Sequence, residues 1–178
     1  MSSAYRYLFQ NIQIGPVRLN NRIVFTAHLT NLSENGLPGE RLAYYYRERA
    51  RGGAGLIITE EQSVHPTDRA YEKLIEAYRE DVIPGYRLIT GMVHQYGTKI
   101  FAQLNHNGNQ GSSIYTGLPL WAPSPVRDPL FREVPKEMDR FDIARLVASY
   151  ALAAVHVREG GFDGLELQAS HSSILRQF

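Results

Sequence analysis

Residues 55–60 read Gly-Leu-Ile-Ile-Thr-Glu, a nearly unbroken apolar run that is too short to be a helix. Such a run is typical of a parallel strand whose two faces are both covered by other layers of the protein. The stretch before it, residues 40–51, is rich in helix formers, and Gly52-Gly53 supplies the stop between the two elements. The pattern therefore predicts a helix that leads directly into a buried strand.

The same alternation of strand and helix continues on both sides of this run. Upstream, residues 22–26 predict a first strand, preceded by a small hairpin that turns at Gly15-Pro16. Downstream, the sequence predicts a helix that Asp81 opens and a later helix that Asp139 caps. Each of these two helices is followed by a predicted strand, over residues 99–104 and 162–168 respectively. The chain thus contains four predicted strand-and-helix units.

Two further expectations concern the loop after the third strand and the long helix that follows it. A long proline-bearing loop holds Trp121, the only tryptophan, and loops of this length inside a domain are usually functional or disordered. The helix that follows is expected to bury one stripe, which consists of Ile143, Leu146, Tyr150, Ala154 and Val157.

Strand and helix alternation at this rhythm predicts a parallel sheet with helices outside it, because parallel strands need crossover connections. A closed (β/α)8 barrel takes about 250 residues, whereas this chain has 178 residues and four predicted strands. We therefore expect residues 1–178 to be the first half of a barrel domain in a truncated polypeptide. An open four-unit sheet that folds alone and two half-barrels that assemble as a homo-oligomer remain as alternatives.

Composition narrows the class of protein further. Lys and Arg total 19 against 18 Asp and Glu, so the net charge of +1 provides no broad basic field for nucleic acid. The absence of Cys excludes disulfides, thiolate catalysis and cysteine-held metal from this stretch, and is compatible with a reducing compartment. No apolar run approaches the roughly 20 residues of a membrane span. We expect a soluble, cytoplasmic protein that acts on a small molecule, without nucleic-acid or membrane partners.

In a barrel the active site lies at the carboxyl ends of the strands, and all four predicted ends are polar. For any single residue, a polar cap where a strand meets solvent is at least as good an explanation as a catalytic role. Four polar ends at one mouth favour a site more strongly. The ends comprise residues 26–28, 60–62, 103–107 and 168–171.

Three of these polar side chains have chemistry that suits a site. The Gln103 amide can bond a flat heterocycle that carries a carbonyl beside an N–H, which describes a flavin or a nucleobase equally well. Gln168 and His171 can present donors to an oxyanion, and His171 can act as a general acid or base. His28 and His106 also follow strand ends, but the argument that either is a site residue is weaker. No histidine spacing indicates a metal site.

Two other readings of the strand ends are disfavoured. Glu60 and Glu61 are adjacent on a strand and should point to opposite faces, so we do not expect a carboxylate dyad. No glycine-rich phosphate loop follows any strand. In barrels a phosphate is often held by the loops after strands seven and eight, which would lie beyond Phe178.

A set of motifs resembles, in order and spacing, the N-terminal half of the Old Yellow Enzyme family. The motifs are Leu8-Phe9, Asn20-Asn21-Arg22-Ile23-Val24, Arg49-Ala50-Arg51-Gly52-Gly53, Gly55-Leu56-Ile57-Ile58-Thr59-Glu60, Phe101-Ala102-Gln103-Leu104, His106-Asn107-Gly108, Ala122-Pro123-Ser124 and Gly161-Phe162-Asp163-Gly164-Leu165-Glu166. The resemblance implies a (β/α)8 barrel that binds FMN at the strand ends. It also implies hydride transfer from NAD(P)H to the flavin and on to an activated alkene or similar acceptor.

The resemblance also implies roles for individual residues. Gln103 would bond the pyrimidine edge of the flavin, and Glu61, at a position that is usually small, would contact the ring through its backbone. Gln168 and His171 would grip the electron-withdrawing oxygen of the substrate. The segment along the flavin would consist of Thr26, Ala27, His28 and Leu29.

Several residues depart from the family pattern. Gln168 replaces the first histidine of the substrate-binding pair, and Ser173 replaces the tyrosine that commonly protonates the substrate carbon. Asn109 stands in place of a usual arginine, and Leu29 excludes the covalent cysteinyl-flavin link of one branch. His28 resembles the amine-dehydrogenase branch, so dehydrogenation of an amine or alcohol is an alternative to alkene reduction.

Two functions outside this pair of activities also remain open. One is a catalytically silent FMN- or nucleotide-binding barrel, and the other is a barrel lyase or hydrolase without flavin, since fold alone does not fix function. An iron–sulfur cluster and FAD would be expected only if a C-terminal extension follows.

Overall fold

The computed structural model describes residues 5–178 as a parallel sheet flanked by helices. The sheet strands are β3 (Val24–Phe25), β4 (Leu56–Ser63), β6 (Lys99–Asn105) and β9 (Gly164–Leu167), and the short β5 (Ile75–Glu76) pairs with the end of β4. The helices are α1 (Glu40–Arg51), α2 (Ile83–His94), α3 (Arg140–Glu159) and α4 (Ile174–Gln177).

The four main strands lie in the sheet in the same order as in the chain, and every pairing is parallel. Each strand is therefore added beside its predecessor, as in a barrel, whereas a doubly wound sheet reverses direction at a switch point. The strands β3 and β9 form the two edges of this arc. The predicted half-barrel architecture is confirmed.

The β1–β2 hairpin (Ile12–Ile14 and Val17–Leu19) precedes the sheet, as predicted. Gly15 has a φ of +55°, a conformation that L side chains rarely adopt, so the turn requires glycine. Leu19 is fully buried and packs with Leu56 and Ile58, so the hairpin covers the start of β4.

The main core lies between the sheet and the helices. Leu42 and Tyr46 of α1, Tyr86 and Ile89 of α2, and Ile100 of β6 are almost completely inaccessible to solvent. The helix α1 has the predicted bounds and α2 ends three residues before Gly97. The hydroxyl of Tyr46 accepts a hydrogen bond of 2.9 Å from the backbone N–H of Glu60, which links α1 to the site-bearing end of β4.

The predicted stripe of α3 is only partly correct. Asp139 caps the helix in a capping box with Asp142, as expected of a helix start, and Leu146 is buried. Ile143, however, is 37% exposed, because α3 packs through the side that carries Asp142 and His156. His156 Nδ1 bonds the backbone oxygen of Ala77 at 2.8 Å, so a polar contact replaces part of the predicted apolar seam.

The long proline-bearing loop, for which a functional or a disordered segment was expected, is ordered, so the disordered alternative is wrong. It contains two short paired strands, β7 (Trp121–Ala122) and β8 (Lys136–Glu137). Trp121 is 4% exposed and stacks on His65, with ring centroids 4.3 Å apart. The tryptophan is therefore a core residue that anchors the loop.

None of the helices within residues 5–178 has the length and apolar character required to cross a membrane.

Candidate active site

A cavity of about 610 Å³ opens at the carboxyl ends of the four main strands. Its volume lies within the range of pockets that bind drug-sized ligands. All eight residues predicted for the site line it: Thr26, Ala27, His28, Leu29, Glu61, Gln103, Gln168 and His171. The structure adds residues that sequence reasoning did not single out, namely Tyr71, Glu166, Leu167, Ala169, Ser170 and Ser172.

Polar side chains form a row across the centre of this cavity. Glu61, Gln103 and Glu166 are register partners on β4, β6 and β9. The Nε2 atom of Gln103 donates a 2.7 Å hydrogen bond to Oε1 of Glu166, while Oε1 of Gln103 has no partner among residues 5–178. One N–H of the amide is therefore already engaged, and its acceptor remains free to bind a ligand N–H.

A β-bulge places Glu61 in this row. The register between β4 and β6 shifts by one residue between Ile58 and Glu61, and bulges often re-aim a side chain next to an active site. The Glu61 Oε2 atom accepts a 2.6 Å hydrogen bond from Nδ2 of Asn105, which is itself fully buried. The resemblance implies that Glu61 contacts the flavin ring through its backbone, and the structure adds that the Glu61 side chain belongs to the polar row.

Burial is the main reason why the pKa of Glu61 is raised to about 7, and the neighbouring Asp68 raises it further. The hydrogen bond from Asn105 and the nearby His171 act in the opposite direction. Asp68 is buried as well, and burial raises its pKa to about 6. The cavity thus contains a carboxyl group that can gain or lose a proton near neutral pH.

Glu60 takes no part in the cavity. Its side chain is fully buried, and Oε2 accepts a 2.8 Å hydrogen bond from the backbone N–H of Thr30. This bond holds the loop after β3, which carries His28 and Leu29, against β4. Glu60 and Glu61 have different partners, so the two carboxylates do not form a hydrogen-bonded pair.

The loop after β9 carries a short polar chain. The Ser170 hydroxyl donates a 2.9 Å hydrogen bond to Oε1 of Gln168, and Nδ1 of His171 lies 3.3 Å from the same hydroxyl. With its oxygen occupied in this way, Gln168 leaves its N–H donors available. The single Ser170 hydrogen goes to Gln168, so Nδ1 of His171 donates to the Ser170 oxygen, and Nε2 can donate to a ligand when the ring is the doubly protonated imidazolium. Ser170, which sequence reasoning did not select, therefore links both predicted substrate-binding side chains.

Comparison with known proteins identifies the family. Residues 7–178 match the NADH:flavin oxidoreductase / NADH oxidase family. The chain belongs to this family. The structure of an Old Yellow Enzyme homologue from Zymomonas mobilis superposes with a TM-score of 0.89 at 29% identity, over 94% of this chain and 50% of that one.

Two curated relatives have longer chains and are named for other activities. A metal reductase from Desulforamulus reducens is 39% identical over 171 residues, which are 96% of this chain and 25% of the relative. An N,N-dimethylglycine/sarcosine dehydrogenase from Chromohalobacter salexigens is 34% identical over 179 residues, which are 98% and 26%. The chain therefore spans about a quarter of these relatives and half of the matched structure.

The residues of the cavity fit the flavin ring that the NADH:flavin oxidoreductase family implies. The free acceptor of Gln103 suits a ring N–H, and it sits in an open cavity on a residue that is only 7% exposed. Within residues 5–178 no Lys or Arg lines the cavity. This part of the chain would therefore hold the ring, and basic groups for the flavin phosphate would have to come from elsewhere.

Ser173, the residue at which the resemblance implies that a tyrosine is replaced, is not among the residues that line the cavity. It is 1% exposed, its hydroxyl donates to the backbone oxygen of Gln168, and its own Oγ atom caps α4 by accepting from the N–H of Leu175 at 3.2 Å. The residue is therefore an N-cap of α4 that also fixes the end of the β9 loop.

We expect Ser173→Ala to lower the free energy of unfolding by about 1 kcal/mol, because it removes an N-cap hydroxyl. Substrate turnover per folded molecule should stay the same, since the hydroxyl is not available to substrate. Urea unfolding and steady-state assays check this. A hundredfold loss of turnover in a folded variant would show that the hydroxyl does chemistry.

His106, a weaker candidate from the sequence, lies outside the cavity. It is fully buried, and its Nε2 lies 3.0 Å from Oγ1 of Thr67, while Nδ1 accepts from the N–H of Gly108. Burial lowers the pKa of His106 to about 3, so the ring is neutral. The imidazole belongs to the core contacts around Trp121 and His65.

Proposed function

We propose that the chain forms the FMN-ring-binding part of an oxidoreductase that passes hydride between NAD(P)H, the flavin and a small organic substrate. The observation that carries this proposal is the convergence of Gln103, Gln168 and His171 on one cavity from β6 and the β9 loop. Family membership supports it, because residues 7–178 match the NADH:flavin oxidoreductase / NADH oxidase family.

Each of these side chains has a defined task in the proposed function. Oε1 of Gln103 accepts from a ring N–H and so fixes the orientation of the ring in the cavity. Gln168 through its amide N–H, and His171 as the imidazolium through Nε2–H, donate toward a substrate oxygen on which negative charge develops during hydride addition. Bound FMN supplies the reversible acceptance and donation of hydride, and the protein positions the reactants.

The substrate is proposed to be either an activated alkene or an amine. Donors aimed at an oxygen favour an alkene conjugated to a carbonyl. The relative named N,N-dimethylglycine/sarcosine dehydrogenase supports an amine. Both reactions transfer a hydride at carbon and a proton at a neighbouring atom. Both therefore require a bound flavin and a group that gives or takes a proton in the same cavity.

We also propose that residues 1–178 form one half of a single FMN-binding barrel domain. The edge strands leave apolar side chains exposed: Val24 at 40%, Leu165 at 37% and Leu167 at 51%. Further barrel units or a second copy of the chain would cover these side chains. We expect residues 1–178 alone to bind FMN weakly.

The test of the proposed function is optical. The purified full-length protein, supplemented with FMN and desalted, should be yellow, and anaerobic NADH or NADPH should bleach it. A protein that retains FMN but is not bleached by either nicotinamide would be a silent binder. A colourless protein that FMN cannot reconstitute would overturn flavin binding altogether.

A further inference from the structure

Hydride addition to an alkene carbon leaves a carbanion-like neighbour that must receive a proton. Ser173, where the resemblance implies a proton donor, is buried and has its hydroxyl hydrogen committed to the backbone of Gln168. A proton donor supplied by the described residues therefore has to be another side chain that lines the cavity.

We propose that Glu61 is this group, the acid that protonates the substrate carbon in reduction and the base that accepts the proton in dehydrogenation. This inference rests on the proposed function. The geometry that points to Glu61 is its place in the row beside Gln103, on the strand end that lines the cavity. Glu166, the other carboxylate of the row, accepts a hydrogen bond from Gln103 through Oε1, so it is tied to the side chain that is assigned to the flavin ring.

The two oxygens of Glu61 have different surroundings. Oε2 is fixed by the N–H of Asn105, and Asn105 is itself held by the backbone oxygen of Ser172 at 2.7 Å. Oε1 has no hydrogen-bond partner within residues 5–178 and is not among the buried unpaired atoms there, so it is open to the cavity. One oxygen anchors the carboxyl group and the other is free to exchange a proton with a ligand.

The chemical step balances with the reductant already proposed. FMN reduced by NAD(P)H would, when bound, supply the hydride that forms a C–H bond at one alkene carbon and displaces the π pair onto the other. The π pair of the alkene then takes the proton from the Glu61 carboxyl and forms the second C–H bond. Glu61 is left as a carboxylate and regains its proton from solvent. In dehydrogenation of an amine, the carboxylate takes the ammonium proton, the freed nitrogen lone pair forms the C=N bond of the iminium product, and the hydride from carbon would pass to the oxidised FMN when it is bound.

The protonation state of Glu61 suits this task. Burial and Asp68 raise its pKa to about 7, so about half of the molecules carry the proton at neutral pH. The titratable groups that face it are Asp68 and Tyr71 from the segment after β4 and His171 from the β9 loop. Because the pKa is raised, the protonated acid is present below pH 7 and is lost as the pH rises through 7.

Tyr71 is the alternative donor that the test must separate from Glu61. It also lines the cavity and carries a hydroxyl, but burial, Glu61 and Asp68 raise its pKa, which makes the phenol a weaker acid. His171 is already assigned as a donor to the substrate oxygen, so it is not tested here as the donor to the substrate carbon.

The experiment uses the full-length FMN-loaded protein and three variants: Glu61→Gln, Tyr71→Phe and the exposed-carboxyl control Glu72→Gln. With 2-cyclohexenone and N,N-dimethylglycine as probes, Glu61→Gln should slow the substrate half-reaction by about 10²- to 10⁴-fold. Bleaching by NAD(P)H should change little, because no substrate proton is needed there. In the wild type the rate of enone reduction should fall above pH 7, and Glu61→Gln should abolish this pH dependence.

A second readout does not depend on turnover. Infrared difference spectra of the oxidised FMN protein between pH 5 and pH 9 should contain a carboxyl C=O band of Glu61 that titrates near pH 7, beside a band of Asp68, whose pKa burial raises to about 6. The Glu61 band should be missing in Glu61→Gln and retained in Tyr71→Phe and Glu72→Gln, whereas the Asp68 band should remain in all three variants. Absence of the Glu61 band from the wild type would overturn the proposal.

The kinetic outcomes are equally decisive. Normal substrate kinetics in Glu61→Gln, or a large loss confined to Tyr71→Phe, would overturn the assignment of Glu61. So would a protein that NAD(P)H bleaches but that converts neither probe. A protein that retains no FMN would instead disprove the proposed function, so the two failures are distinguishable.

Discussion

Replacement of His171 by alanine should lower the rate of the substrate half-reaction by about 10²- to 10³-fold, the loss typical of removing one donor to a developing oxyanion. The side chain lines the cavity, and its ring is linked through the Ser170 hydroxyl to Gln168. FMN content should be unchanged, because no role in holding the ring is assigned to His171. Stopped-flow reoxidation of the reduced flavin by an enone measures the effect directly.

Two further variants show whether the donor itself matters. His171→Asn keeps an N–H donor and should recover part of the rate, whereas a role in packing alone would not be rescued this way. His94→Ala removes an exposed histidine that bonds Asp163 at 2.8 Å, outside the cavity, and should leave the rate unchanged. A His171→Ala variant as fast as the wild type would remove this residue from the proposed site.

The largest effect on stability is expected from Ile100→Ala in β6. Ile100 is fully buried in the core that joins the sheet to the helices, so the substitution removes apolar contacts and leaves a cavity. Large-to-small changes of this kind cost about 2–5 kcal/mol. The hydrogen bond from its backbone N–H to Oδ2 of Asp163, 3.0 Å long, survives the change, so the loss reports packing alone.

Ile114→Ala is the matched control for this substitution. Ile114 is 78% exposed, and its replacement should change the free energy of unfolding by no more than about 0.5 kcal/mol. Urea unfolding followed by circular dichroism measures both variants. A loss below about 1 kcal/mol for Ile100→Ala would mean that β6 is not the packed centre of the sheet.

The elements that sequence reasoning predicted correctly are those with a strong local signal. The helix α1 ends at Gly52-Gly53 as predicted, and the hairpin turns at a glycine whose positive φ other residues rarely adopt. The strand β4 follows from an apolar run that only a doubly covered parallel sheet accommodates. Its extension to Ser63 was missed, because polar residues at a strand end resemble a loop.

The errors arose where tertiary contacts override local pattern. Ile143 fits the helical stripe but is exposed, because α3 faces the core through Asp142 and His156 instead. Trp121 lies in a segment with many prolines, yet it packs on His65 in the interior. The hydroxyl of Ser173, where the resemblance implies a proton donor, caps a helix.

The sequence by itself determined the family, the order of strands and helices, and the set of polar strand ends, because these depend on residue type and spacing along the chain. Only the tertiary structure decided how those ends are used. The register shift in β4 brings Glu61 beside Gln103, and burial next to Asp68 raises its pKa to about 7. A bulge and a local dielectric environment are properties of strands packed together, so no periodicity in one segment can reveal them.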